Sequence, residues 1–132
     1  MNNIENAKSI LSLENLYFND IVFTRNKKEE HSNSEKQPQF GFGKSILESN
    51  DKSFTISLKI KVETNDYSLR MALVGVFEVD GGLNTNSYFE KNAIAIMFPY
   101  LRSQLTLITA QPGINPVMLP PININELLKQ NE

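Results

Sequence analysis

Phe54-Thr55-Ile56-Ser57-Leu58-Lys59-Ile60-Lys61-Val62-Glu63 alternates apolar and polar side chains without a break. In an extended chain successive side chains point to opposite faces, so one face of this segment is apolar and the other wet. The pattern is that of a half-buried β-strand; a helix would repeat its apolar residues roughly every three or four positions. Thr64-Asn65-Asp66 follows, a cluster of turn formers that closes a hairpin, and Tyr67 to Val79 is its return strand. The return strand is more uniformly apolar, which places it centrally in a sheet or in an interface. Gly75 within it is a candidate bulge.

Working towards the N-terminus, Asn50-Asp51 is a turn, and Phe40-Gly41-Phe42-Gly43-Lys44-Ser45-Ile46-Leu47 is another strand. Its aromatics share one face, and the glycines leave the other bare, which suits close approach of another backbone. Residues 25–39 are charged and polar and are read as a long solvated loop, of the kind that is functional or disordered in a compact domain. Leu11 to Phe23 is a strand with a bend or bulge at Asn19-Asp20. Residues 1–10 are polar and are expected to be a flexible N-terminus.

Towards the C-terminus, Asn86-Ser87 can cap a short helix running to Met97, with Glu90 completing a capping box. Phe98-Pro99 is read as an interruption. A second helix then begins at Pro99, where proline's missing N–H costs nothing, and places Leu101, Leu105 and Ile108 on one stripe. Pro112-Gly113 stops it, Ile114 to Pro121 is extended, and Asn123 or Asn125 caps a last helix carrying Leu127 and Leu128. Strands in one block and helices in the next predict an α+β fold: a four-stranded antiparallel sheet followed by helices packed on one face. The 132 residues suit a single domain spanning 1–132.

Composition narrows the function. Apolar residues make up 40% and charged residues 21%, so the chain should fold. The net charge of −2 gives no footprint for nucleic acid. There is no cysteine, which removes disulfides, thiolate nucleophiles and cysteine metal sites. Met1-Asn2-Asn3-Ile4-Glu5-Asn6 lacks the basic start and apolar run of a signal peptide, and no stretch approaches the roughly 18 apolar residues of a membrane span. A cytoplasmic protein without membrane insertion is expected.

Catalytic equipment is sparse. His31 stands alone in the polar loop with no partner at metal-ligand spacing, so it reads as a surface residue. Gly41-Phe42-Gly43-Lys44-Ser45 lacks the spacing of a phosphate loop and falls within a strand. Glu78 and Asp80 share a strand face but have no base partner, and Lys59 and Lys61 read as an ordinary wet sheet face. No enzyme, metal or cofactor is expected. Phe40, Phe42, Phe98, Tyr100, Ile122, Ile124, Leu127 and Leu128 could line an apolar groove, and on the residues alone core packing explains them equally well.

Several segments together resemble the SecB family of export chaperones. Ile96-Met97-Phe98-Pro99-Tyr100-Leu101-Arg102 and Met118-Leu119-Pro120-Pro121-Ile122-Asn123 are similar to that family's FPYAR-like helix and L-x-PPINF-like loop. Leu16-Tyr17-Phe18-Asn19-Asp20-Ile21-Val22-Phe23 resembles its first strand, Gln37-Pro38 its crossover loop, and Gly75-Val76-Phe77-Glu78-Val79 the end of its last strand. The resemblance runs from about Leu11 to Leu128, and order, spacing and length all agree.

It implies a cytosolic homotetramer, built as a dimer of dimers, that holds unfolded or precursor polypeptides in apolar grooves and hands many to the SecA motor without chemistry or cofactor. It turns the apolar set above into client-binding residues. The double replacement of Phe40 and Phe42 by serine is then expected to weaken client protection and spare the oligomer. Asp20 matches an acidic position implied in SecA binding, whereas Thr24 and Arg70 stand where the resemblance implies acidic residues. Lys36 and Ile94 also depart, from an aromatic and a proline. SecB-like relatives also serve antitoxins of toxin–antitoxin systems, so a dedicated antitoxin chaperone is one alternative. A structural module that only oligomerises is the other.

Overall fold

A computed structural model describes residues 11–26, 37–80 and 87–130. The polar N-terminus, His31, Lys36, most of the crossover loop and Asn86 lie outside the described residues. The elements are β1 (Leu11–Arg25), β2 (Gln39–Ser49), β3 (Ser53–Glu63), β4 (Tyr67–Val79), α1 (Ser87–Thr109) and α2 (Ile124–Gln130). The strands form one antiparallel four-stranded sheet in the order β1-β4-β3-β2, so the chain crosses from one edge to the other between β1 and β2.

The alternation in β3 sets the faces. Phe54, Ile56, Leu58, Ile60 and Val62 are buried, and Lys59 and Lys61 are exposed. On β4, Tyr67, Leu69, Met71, Leu73, Phe77 and Val79 are buried on the same side, because Ile56 pairs with Gly75 and Ile60 with Met71. β4 lies between β1 and β3, which explains its apolar character: Ala72 and Val74, on its other face, are also buried between neighbouring strands. The turn before β4 is built by Thr64, whose Oγ1 accepts hydrogen bonds from the N–H groups of Asp66 and Tyr67, each at 3.1 Å. Asn50 Oδ1 does the same for Lys52 and Ser53, at 2.9 and 3.0 Å.

Two expectations change, and a third is only partly described. The bend at Asn19-Asp20 is present as a register shift between Phe18 and Asp20, but Gly75 is not a bulge. The other β1 shift lies between Leu13 and Asn15, and Gly75 keeps regular pairing with both Leu16 and Ile56. Its role is clearance for the helix, since a Cβ there would fall 2.8 Å from Met97 Sδ and 2.8 Å from the Phe77 ring.

Second, the expected break at Phe98-Pro99 does not occur: α1 is one helix of 23 residues with Pro99 inside it. A proline inside a helix loses one hydrogen bond and costs about 3 kcal/mol. Against that, Phe89, Ala93, Ile94, Met97, Phe98, Leu101 and Leu105 form one buried stripe on both sides of the proline. Burying each large side chain of such a stripe contributes roughly 1.5–3 kcal/mol, so the sheet holds the helix together through Pro99, whose ring points to solvent.

Third, the proposed capping box is only partly described. Glu90 Oε1 meets Lys44 Nζ at 2.7 Å and ties the first turn of α1 to β2, and the side chain of Ser87 is outside the described set. At the other end Asn123, rather than Asn125, caps α2: its Oδ1 accepts from Glu126 N–H at 3.3 Å. Asn125 Nδ2 donates to Lys91 C=O at 3.1 Å and fastens α2 to α1.

α1 lies across β1, β3 and β4, and α2 touches α1 and β2. No described helix is long and apolar enough to cross a membrane.

Candidate functional site

Phe40 and Phe42 stand on the helix side of β2, because they pair in register with the buried Val62 and Ile60. From there an aromatic ladder runs inward. Phe40 stacks near Phe42 with ring centroids 6.5 Å apart, and Phe42 meets Phe98 of α1 edge-on at 6.4 Å. Exposure falls steadily along it, from 39% at Phe40 to 9% at Phe42 and 4% at Phe98. Edge-to-face and offset ring pairs at such separations each add about 0.5–1.5 kcal/mol beyond area burial.

β2 is an edge strand, so the outer end of the ladder opens at the rim of the sheet. Beside it, α2 buries Ile124 and Leu128 in the core and leaves Leu127 half-buried, as is Ile122 just before it. The structure thus divides the sequence-predicted groove residues. Phe42, Phe98, Ile124 and Leu128 are interior packing of the protomer; Phe40, Ile122 and Leu127 reach its surface.

Tyr100 is not brought to the ladder. It is 51% exposed, and lying two residues beyond Phe98 on a helix puts it about 200° away round the axis. Its neighbours on that solvent stripe are Ile96 and Leu107, both exposed. The bare glycines of β2 face away from the helices. A Cβ at Gly41 would meet Lys61 Cβ at 3.9 Å, an ordinary contact with its paired strand, and nothing lies within 4 Å of that position at Gly43, so no described part of the chain makes the close approach the sequence suggested.

Sequence reasoning did not select Met118, which is 79% exposed, or Leu119, half-buried beside it. The signal was present. Two prolines follow them, an extended segment presents alternate side chains outward, and no strand pairs with it.

Charges near the ladder are few: the Lys44–Glu90 pair closes one side, half-buried, and no described cluster of acidic residues and histidine could hold a metal ion. Tyr67 has its hydroxyl buried, and burial, with Asp66 nearby, pushes its pKa up, so it stays a neutral phenol at physiological pH. Glu78, Asp80, Lys59 and Lys61 are exposed and spread over the sheet.

Asp20 lies on the face of the sheet away from α1, in register with Ala72. Its Oδ2 accepts a hydrogen bond from Arg70 Nε at 3.0 Å; the Arg70 side chain is largely exposed and that of Asp20 partly so. Such a surface pair contributes only about 0–1 kcal/mol to stability, but it offsets the one acidic charge singled out for motor binding.

The arrangement is an apolar surface at a sheet edge, to which Phe40, Ile122 and Leu127 contribute. A comparison of folds agrees with its shape. A SecB-like chaperone of Mycobacterium tuberculosis, solved with a ChAD peptide from the HigA1 antitoxin, superposes with a TM-score of 0.68 at 9% identity, covering 85% of this chain and 87% of that one. A protein of unknown function from Streptococcus agalactiae superposes with a TM-score of 0.55 at 13% identity, covering 84% and 97%. At such identities the likeness is one of fold. In sequence, an uncharacterized protein of Methanocaldococcus jannaschii is 38% identical over 66 residues. That match takes in 48% of this chain and 43% of the relative, so the chain spans under half the length of the curated relative it matches. The family model described as preprotein translocase subunit SecB matches residues 4–132. With the sheet order, the helix through Pro99 and the capped final helix in place, the chain belongs to the SecB family.

Proposed function

We propose that this protein is a cytoplasmic holdase that binds unfolded or precursor polypeptides without ATP. The observation that carries the reading is the aromatic ladder rising from Phe98 through Phe42 to the open Phe40, on an edge strand that α2 touches, with Ile122 and Leu127 half-buried on the α2 segment. An unfolded client exposes apolar side chains in many sequences, and a contiguous apolar rim captures them with little sequence preference. Neither a nucleophile nor a cofactor is needed for this.

The same reading includes a homo-oligomer, a tetramer arranged as a dimer of dimers. Ile96, Tyr100, Ser103 and Leu107 form an exposed, charge-free stripe on α1 that suits burial against another copy. The purified protein is expected to sediment as a tetramer and to suppress aggregation of a slowly refolding client at near-stoichiometric amounts. A stable monomer at micromolar concentration would defeat the assembly. A tetramer that protects no client would leave only a structural module.

A second reading, a chaperone dedicated to one antitoxin, is favoured by the fold shared with the M. tuberculosis protein solved on an antitoxin peptide. The two separate by titration: a dedicated chaperone binds one antitoxin segment far more tightly than a generic unfolded chain.

Binding to SecA is proposed to be weak and salt-sensitive. The cationic segment that the family resemblance implies would meet Asp20 already paired with Arg70. Arg70→Gln frees the carboxylate and is expected to strengthen SecA binding severalfold at low salt. Calorimetry showing tight binding that the substitution leaves unchanged would remove the ion pair from the argument.

A further inference from the structure

The segment between the helices is held by side chains where another protein would use a strand. Val117 lies outside any strand, in a stretch that contains Pro112, Pro116, Pro120 and Pro121 and so lacks several ladder donors. Both of its backbone groups are nevertheless paired. Its N–H donates to Thr109 Oγ1 at 2.8 Å, and its C=O accepts from Thr106 Oγ1 at 2.8 Å.

Each hydroxyl has one proton, and the geometry gives each proton a clear destination. The Thr109 proton goes to Leu105 C=O at 2.8 Å, which leaves its oxygen free to accept from Val117. The Thr106 proton has Val117 C=O at 2.8 Å against Arg102 C=O at 3.4 Å. Thr109 is completely buried, and the two threonines, three apart, share one helix face.

The segment is also anchored before this point. Gly113 turns the chain with φ at +79°, and Pro112 C=O accepts from Arg25 Nη1 at 2.7 Å. Beyond it come the exposed Met118 and the half-buried Leu119 and Ile122, before Asn123 caps α2.

We propose that Thr106 and Thr109 are positioning residues for client binding. Their hydroxyls clamp Val117 and fix the register of Met118, Leu119 and Ile122, presenting a pre-ordered apolar lip to an extended segment of an unfolded polypeptide. Ordering that lip in advance removes an entropic cost that binding would otherwise meet. The client side of the proposal rests on the holdase reading; the clamp rests on the hydrogen bonds alone.

The test uses the full-length oligomer, reduced carboxymethylated α-lactalbumin as a permanently unfolded probe, and the variants Thr109→Val, Thr106→Val, Thr109→Ser and Thr106→Ser. In Thr109→Val, exchange of the Val117 amide is expected to speed up about tenfold or more, and probe affinity to fall about fivefold, in line with loss of one hydrogen bond. Thr106→Val, at a half-buried position, is expected to weaken probe binding similarly. The serine variants keep the hydroxyl and restore both readouts. Unchanged Val117 exchange in Thr109→Val overturns the clamp, whether or not wild-type protein binds the probe. Faster exchange and a lowered urea midpoint with wild-type probe affinity overturn the positioning role. Wild-type protein that fails to bind the probe overturns the holdase reading and with it the role in client binding.

Discussion

Phe42→Ser is expected to cost a large part of the stability of the fold, whereas Phe40→Ser is expected to leave the fold intact and impair client protection. The rings are two residues apart on the same strand face and stack on each other, but one is interior and the other half-open. Removing a buried phenylalanine costs about 3–5 kcal/mol, and the serine hydroxyl would sit unpaired among Phe98 and Ile60. Domains of this kind have roughly 5–15 kcal/mol in hand, so Phe42→Ser should lower the urea midpoint sharply and populate unfolded chain at 37 °C. At Phe40 the loss should be smaller, about 1–2 kcal/mol, because the ring is only partly buried. The double replacement is therefore the wrong test of client binding: it would report unfolding. Phe40→Ser alone, with a urea midpoint lowered far less than in Phe42→Ser and severalfold weaker aggregation suppression, is the expected result. Full protection by that variant would make Phe40 a bystander.

Gly75→Ala is expected to destabilise the protein by about 1–3 kcal/mol, although it adds a single methyl group. The new carbon would lie 2.8 Å from both Met97 Sδ and the Phe77 ring. Phe77 cannot retreat, since it is fully buried and stacked on Phe54 with centroids 5.4 Å apart. Met97, also fully buried, has more torsions and is the side that must yield. Met97→Ala alone should cost about 2–5 kcal/mol by leaving a cavity. The double variant should cost clearly less than the sum, because the methyl group of residue 75 would occupy space that Met97 vacated. Strict additivity of the urea-derived free energies would show that the two residues do not share that contact.

The strands were legible because their signals are local. Alternation in Phe54–Val62 needs only the two-residue period of an extended chain. Asn50 and Thr64 mark turns through hydrogen bonds to residues two and three positions on. The bend at Asn19-Asp20 and the central place of β4 were readable for the same reason: local breaks and uniform apolarity show in one dimension.

Gly75 and Pro99 were misread because each was judged by its own propensity. Gly75 is explained by Met97 on a helix it meets only in three dimensions, and Pro99 by a buried stripe on both sides of it. The site shows the same division. Phe40, Phe42, Phe98, Ile122, Ile124, Leu127 and Leu128 were recognisable as an apolar set, but apolarity does not say which members face inward. Tyr100 follows Phe98 by two residues and, on a helix, ends on the opposite side.

By itself, then, the chain's order of apolar and polar residues determined the antiparallel sheet, the helices after it and the apolar character of the candidate site, since each depends on backbone geometry within a few residues. Tertiary structure alone decided the unbroken α1, the ladder's graded exposure, the Asp20–Arg70 pair joining residues 50 apart in the chain and the threonine clamp on Val117. Each of these is a balance between local preference and a partner from elsewhere in the chain, and burial or hydrogen bonding with that partner sets the outcome.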